Sequence, residues 1–208
     1  YEKKGKQATV VADSVLVATG RAANTDNMGL EGVGVEFNRQ GIVVDDNMQT
    51  NIPGIYAIGD VNGKMMLAHA ATFQGYRAIN HILGKDDLIN FDIMPAAIFT
   101  YPEAASVGIS EENAKQAGLD YSCGKGFYRA NGKALSMGET EGLLKLIADK
   151  DGKIIGCHVF GVHAADLVQE VTSLMNKNAT VEDLKNIIHI HPTVGEILLS
   201  AAASFEQQ

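Results

Sequence analysis

Several features are scarce or absent in this sequence of 208 residues, and each absence narrows the class of protein. It has no run of about 18 apolar residues, which a membrane-spanning helix would need. Acidic residues outnumber basic ones by 25 to 17, and the net charge of -8 at pH 7 argues against nucleic-acid binding. The two cysteines, Cys123 and Cys157, are too far apart for a metal motif or a disulfide framework, and they favour a reducing compartment. We therefore expect a cytoplasmic protein that binds neither nucleic acid nor a membrane.

The pattern of apolar residues predicts two differently organised parts. In the first part, β-branched residues at 9–19 and an apolar run at 55–60 predict strands, and helical spacing from 66 to Gly84 predicts a helix. In the second part, strands are predicted at 96–100, 121–130, 142–149 and 153–161, with a hairpin turn at Asp151-Gly152. Amphipathic helices are predicted at 163–178 and from 181 onward. Strands followed by helices indicate an α+β fold with an antiparallel sheet in the second part, preceded by partial α/β segments.

Two features of the first part could bind a ligand. Asp60 ends the segment 55–60, at the edge of a sheet where α/β proteins place their ligands, although a turn aspartate that caps the next segment fits equally well. The segment 66–71 opens the predicted helix, and helix N-termini attract electron-rich atoms because their first N–H groups lack partners. His69 in that first turn is either a ligand contact or a packing residue.

The segment IHIHPTVGE, residues 188–196, is the strongest candidate for acid–base chemistry. Pro192 disfavours helical geometry at His191, so the segment should be extended, with His189 and His191 on one face. Thr193 and Glu196 have the spacing of a helix capping box. Alternatively, Glu196 orients and polarises His191, because a histidine held by a carboxylate is a tuned proton acceptor near neutral pH. A His-x-His metal site is disfavoured, since no third ligand lies at a suitable spacing.

Five motifs, taken together, resemble the flavin-dependent disulfide oxidoreductases. They are VLVATGR at 15–21, TNIPGIYAIGD at 50–60, MLAHAATFQG at 66–75, IFTYPEAASVG at 98–108 and HPTVGE at 191–196. They occur in the family's order and at its spacing. Within the family the chain resembles the dihydrolipoamide dehydrogenases most, while glutathione reductase and mercuric reductase are alternatives.

The resemblance also indicates which parts of such an enzyme are missing. The sequence contains neither a Gly-x-Gly-x-x-Gly fingerprint nor a redox-active Cys-x4-Cys, and it begins without an initiator Met. It therefore resembles the carboxyl-terminal portion of a family member. Residues 1–21 would end the NAD-binding domain, residues 22–90 would return to the FAD-binding domain, and residues 91–208 would form the dimerisation domain.

The family's functional residues can be carried over to matching positions. By resemblance, Gly20 lies close to NAD, and Asp60 is similar to the carboxylate that bonds the ribityl chain of FAD. The backbone that faces the flavin ring matches Met66, Leu67, Ala68 and His69. His191 matches the catalytic base and Glu196 its partner.

The resemblance implies that the complete enzyme oxidises protein-bound dihydrolipoamide, with electrons passing through a redox disulfide and FAD to NAD. Its partners would be a second copy, bound through residues 91–208, and the lipoyl domains of 2-oxoacid dehydrogenase or glycine cleavage complexes. The helix at 163–177 offers apolar residues for such a homodimer. The chain alone should be inactive and without FAD; the competing hypothesis is a catalytically silent dimerisation module.

Overall fold

A computed structural model of the chain describes residues 1–207. The chain divides into two compact units, Tyr1–Asp87 and Leu88–Gln208. No helix within the described residues is long and apolar enough to span a membrane.

The first unit is built from short elements around one helix. Its strands form two hairpins, β1 (Glu2–Lys3) with β2 (Lys6–Gln7), and β3 (Phe37–Asn38) with β4 (Gly41–Ile42). Helix α1 spans Leu30–Val33, a 3-10 turn spans Gly59–Asn62, and helix α2 spans Ala68–Ile82. A small apolar core gathers four buried residues, Leu30, Val35, Ile42 and Ala57.

The predicted strand at 9–19 is wrong. The structure assigns no strand there, and Val11 and Leu16 are 94% and 90% exposed. β-branched residues favour a strand only where a neighbouring strand supplies hydrogen bonds and a surface to pack on, and no strand within residues 1–207 pairs with this segment. The predicted strand at 55–60 is likewise reduced to one bridge between Tyr56 and Gln49, because the chain turns at Gly59, where φ is +74°.

The second unit contains a five-stranded antiparallel sheet. Its strands lie in the order β5-β6-β9-β8-β7. Their bounds are β5 Ala96–Ile98, β6 Ala104–Gly108, β7 Tyr121–Phe127, β8 Leu143–Asp149 and β9 Ile154–Phe160. The predicted hairpin between β8 and β9 is confirmed, with Gly152 at a φ of +78°.

Five helices accompany this sheet, and they confirm the α+β fold. They are α3 (Glu111–Gln116), α4 (Gly132–Met137), α5 (Ala164–Asn176), α6 (Val181–Lys185) and α7 (Ile197–Ala203). Helix α5 packs against β6 and β9, and α7 packs against β7 and β8. Short 3-10 turns occupy Tyr128–Ala130, Val194–Glu196 and Ser204–Gln207.

Helix α5 does not offer the dimer interface expected from the sequence. Most of the apolar residues proposed for it belong to the core of the unit itself: Leu167 is 5% exposed, Val168 1% and Val171 0%. Amphipathic spacing identifies the apolar face of a helix, but the sheet of the same chain already covers that face.

Candidate active site

His191 and Glu196 lie within hydrogen-bond distance on the segment that leads into α7. Nδ1 of His191 is 2.9 Å from Oε1 of Glu196. The backbone N–H of Thr193 donates to Oε2 of the same carboxylate, also at 2.9 Å. Helix α7 is anchored by buried Ile197 and Leu198, and this fixes the position of the turn that carries Glu196 at the start of the helix. The carboxylate therefore caps the helix with one oxygen and holds the imidazole with the other.

The electrostatics of this pair suit a proton acceptor. The pKa of Glu196 is lowered, chiefly by the N–H of Thr193 and next by the bond to His191. An ionised carboxylate only accepts hydrogen bonds, so Nδ1 of His191 carries the proton that points to Glu196. In the neutral ring the lone pair is then on Nε2, which has no hydrogen-bond partner among residues 1–207. The His191 side chain is 79% exposed, so an external donor can reach that atom.

His189 has different surroundings from His191. Its side chain is only 6% exposed, and its Nε2 lies 2.9 Å from Oε1 of Glu170 on α5. The flanking Ile188 and Ile190 are 97% and 79% exposed. The two histidines, which the sequence places on one face of an extended segment, therefore have different surroundings, since one lies against a helix and the other is open to solvent.

In the first unit, the structure brings the Gly20 region and Asp60 together. Gly20 is exposed with a φ of +85°, and the next residue, Arg21, places Nη2 2.8 Å from Oδ2 of Asp60. Arg21 ends the motif VLVATGR at 15–21, but the motif alone did not indicate a role for it. No local signal could have found this ion pair, since the two residues are 39 positions apart.

A buried polar cluster of Gln74 and Asn62 joins the 3-10 turn that contains Asp60 to helix α2. Gln74 is 2% exposed, and its Oε1 accepts from the backbone N–H of Gly59 at 2.7 Å and from Asn62 at 2.9 Å. Asn62 also donates to the carbonyl of Ala57 at 3.0 Å. The sequence did not identify a role for these two residues. The available signal was the polar Gln74 inside an apolar helical stretch, which is typical of a buried polar contact.

The N-terminus of α2 carries the other proposed ligand contacts. Leu67 is its N-cap, in an extended conformation, and no side chain caps the helix. Met66 and Leu67 are half-buried, whereas Ala68 and His69 are exposed. A helix of 15 residues whose first turn lacks a side-chain cap can accept an electron-rich group there.

Two family models match the chain. The dimerisation domain of the pyridine nucleotide-disulphide oxidoreductases matches residues 94–202, and a second model of these oxidoreductases matches residues 2–75.

The chain belongs to the pyridine nucleotide-disulphide oxidoreductase family. The dihydrolipoyl dehydrogenases of Bacillus subtilis and Geobacillus stearothermophilus are 45% and 41% identical to it over 204 residues, 97% of this chain and 43% of each relative. The HOCl-induced flavoprotein disulfide reductase RclA from Escherichia coli superposes with a TM-score of 0.83 at 27% identity, covering 92% of this chain and 45% of that one. The chain thus spans about two fifths of the length of the curated relatives it matches.

The positions of the two cysteines of this chain favour a packing role over a redox role. Cys123 lies on β7 and Cys157 on β9, with β8 between them, and no disulfide joins them. Burial raises the pKa of both thiols, and Glu111 raises that of Cys123 further. A raised pKa suppresses the thiolate that redox exchange requires. Within residues 1–207 no group of three or more His, Cys, Asp or Glu side chains could hold a metal ion.

Proposed function

We propose that this chain is the carboxyl-terminal part of a dihydrolipoyl dehydrogenase, in which His191 is the proton acceptor and Glu196 its orienting partner. The observation that carries the proposal is the 2.9 Å contact between Nδ1 of His191 and Glu196, which leaves Nε2 of an exposed ring for a substrate. The 45% identity to a dihydrolipoyl dehydrogenase over nearly the whole chain supports the choice of reaction.

In the proposed reaction, Nε2 of His191 accepts a proton from one thiol of dihydrolipoamide. The thiolate so formed attacks the redox disulfide of the partner subunit and displaces one of its two sulfurs as a thiolate. The second substrate thiol then loses its proton and attacks the mixed disulfide, which releases the other enzyme sulfur and closes the oxidised lipoamide ring. Glu196 stabilises the imidazolium that forms, because its carboxylate is held ionised by Thr193. FAD, if held by Asp60 and the N-terminus of α2, would supply the electron transfer that connects the reduced disulfide to NAD.

The residues of the first unit suit part of an FAD site. Asp60 can accept hydrogen bonds from ribityl hydroxyls with the oxygen that Arg21 does not use, and the first turn of α2 at 66–69 can face the flavin ring. Gly20, exposed and next to Arg21, is proposed to lie near NAD. Because only this part of the site is present, we expect the chain alone to be isolated without flavin and to be inactive.

The proposed partners follow from the family. A second copy would bind through residues 91–208, the region that the dimerisation-domain model matches, and lipoyl domains would deliver the substrate. We also propose a reducing, cytoplasmic setting, as expected for a sequence with two widely spaced cysteines.

The proposal is tested with His191→Gln in the complete protein, the longer polypeptide that also contains the redox disulfide and the rest of the FAD site. We expect dihydrolipoamide oxidation to fall by about 10²–10⁴-fold, the usual value of general-base assistance, with flavin absorbance unchanged. His163→Gln is the matched control, since His163 is another exposed histidine beside a carboxylate, Asp166, and should leave turnover unchanged. Near-normal turnover of His191→Gln would reject the proposed role and leave a silent dimerisation module as the better description.

A further inference from the structure

His189 is held at both ring nitrogens by groups that only accept hydrogen bonds. Its Nδ1 lies 3.0 Å from the carbonyl oxygen of Ile187, and its Nε2 lies 2.9 Å from Oε1 of Glu170. A neutral imidazole has one N–H and can satisfy only one of them, whereas the doubly protonated ring satisfies both. The ring is therefore held from two sides, by the backbone carbonyl of Ile187 and by the carboxylate of Glu170.

The two sides of the His189 ring face different elements. Glu170 stands on α5, whose neighbouring residues Leu167, Val168 and Val171 are buried in the core. On the other side, Cδ2 of His189 lies 3.8 Å from where a Cβ of Gly195 would be, beside the turn Val194–Glu196. His189 thus links a core-anchored helix to the turn that carries Glu196.

The surrounding charges are mixed in sign. His189 lowers the pKa of Glu196 through space. The depression that His189 lines also contains these other ionisable side chains: Lys133 on α4, and His163, Asp166 and Glu170 on α5 or at its N-cap.

We propose that His189 and Glu170 form a second histidine–carboxylate pair, which positions the His191–Glu196 pair for proton transfer. His189 is a positioning residue, because it fixes the backbone two residues before His191 and contributes no atom to the reaction. The proposal rests on the function proposed above for His191.

The position of His191 depends on its neighbour His189. Ile188 and Ile190 are exposed, and residues 188–191 belong to no strand, so neither apolar packing nor a sheet ladder fixes this segment within residues 1–207. The buried His189 side chain is what joins the segment to α5. Without that link, the 2.9 Å contact between His191 and Glu196 should be populated only part of the time. Misplacement of a catalytic group by about 1 Å can cost roughly 10²-fold in rate.

The first test is made on the 208-residue chain by NMR of the imidazole groups. The signals of His191 report the hydrogen bond from Nδ1 to Glu196. We expect Glu170→Ala and His189→Asn to shift or broaden them, because Asn can replace only the bond to Ile187. His189→Gln should restore them, since its amide nitrogen can reach Glu170 as Nε2 does. His163→Asn, which alters the other histidine–carboxylate pair of α5, should change nothing at His191.

The backbone amide spectrum shows whether each variant is folded. If Glu170→Ala and His189→Asn are folded and the His191 signals match those of the unmodified chain, the positioning role is wrong.

The second test uses the complete protein. We expect Glu170→Ala and His189→Asn to lower kcat by about 10-fold to 100-fold with KM changed little, and His189→Gln to recover most of that loss. An unchanged kcat in the first two variants would overturn the proposal. If His191→Gln itself has no effect, the proposed function fails, while the NMR result still decides whether His189 holds His191 in place.

Discussion

Glu196 uses its two carboxylate oxygens for different purposes. Oε2 accepts from the N–H of Thr193 and completes the cap of the helix start, while Oε1 faces Nδ1 of His191. At the level of sequence, capping and orientation compete as explanations for the same residue. The structure removes the competition, because a carboxylate has enough lone pairs for both partners. Removing this one side chain should therefore affect both the helix start and the histidine.

Glu196→Gln is expected to make stability depend on pH in a defined way. Because the folded-state pKa of Glu196 is lowered, its ionisation stabilises the fold above the ordinary carboxyl pKa of about 4.3. That contribution is lost as pH falls through the lowered value. The difference in free energy of unfolding between the two proteins should therefore be largest near neutral pH and should shrink as the pH falls through the lowered pKa of Glu196.

Denaturant unfolding followed by circular dichroism at several pH values measures this difference. Glu36→Gln is the control, since the carboxylate of Glu36 has no hydrogen bond or ion pair within the described part of the chain. A pH-independent difference for Glu196→Gln would contradict the stabilising role of the ionised form.

Several elements are fixed by hydrogen bonds between residues that are close in sequence. Ser110 caps α3 by accepting from the N–H of Asn113, and Thr180 with Asp183 forms the capping box of α6. The turn at Asp151-Gly152 is closed by the side chain of Asp149, which accepts from the N–H groups of Asp151 and Lys153. Each interaction joins residues within four positions, so a short stretch of sequence contains all the information. The strand at 9–19 failed for the opposite reason, since a strand depends on a distant partner.

The contact between β7 and α7 gives a prediction at this scale. A Cβ on Gly124 would lie 2.2 Å from the carbonyl oxygen of Ala201 and 2.2 Å from the ring of Phe205. Gly124→Ala should therefore push α7 off the sheet and cost about 1–3 kcal/mol, the usual penalty of overpacking. Gly132→Ala is the control, because nothing lies within 4 Å of its Cβ position at the start of α4.

Thermal unfolding followed by circular dichroism compares the two alanine variants. Gly124→Ala should unfold at a lower temperature and Gly132→Ala at an unchanged or slightly higher one. Equal unfolding temperatures would mean that α7 can move away from β7 at little cost.

At the scale of the whole molecule, the second unit exposes large apolar side chains outside its core. Ile188 is 97% exposed, Ile190 79%, and Phe99 and Tyr101 81% each. These residues, and not the buried face of α5, are available to a second copy. The match of residues 94–202 to a dimerisation domain supports a homodimer, and we propose these exposed residues as part of its interface.

The expected dimer is tested by introducing charge into this surface. Ile188→Asp with Ile190→Asp should convert the 208-residue chain from a dimer to a monomer, because an unpaired carboxylate would be buried at the contact. Leu88→Asp is the matched control, since Leu88 is 100% exposed, and it should leave the dimer intact. Analytical ultracentrifugation at several concentrations separates these outcomes. A dimer that survives the double substitution would place the interface elsewhere.

The sequence by itself determined the approximate positions of α2, α5 and α6, the β8–β9 hairpin, the antiparallel α+β character and the motifs that identify the family. All of these depend on residue type, short-range spacing or the order of motifs along the chain. Only the tertiary structure decided that Glu170 holds His189 and that Arg21 pairs with Asp60, partners that are 19 and 39 positions apart. The physical reason is that a hydrogen bond across such distances exists only after the core has placed both backbones, and no local pattern encodes that placement.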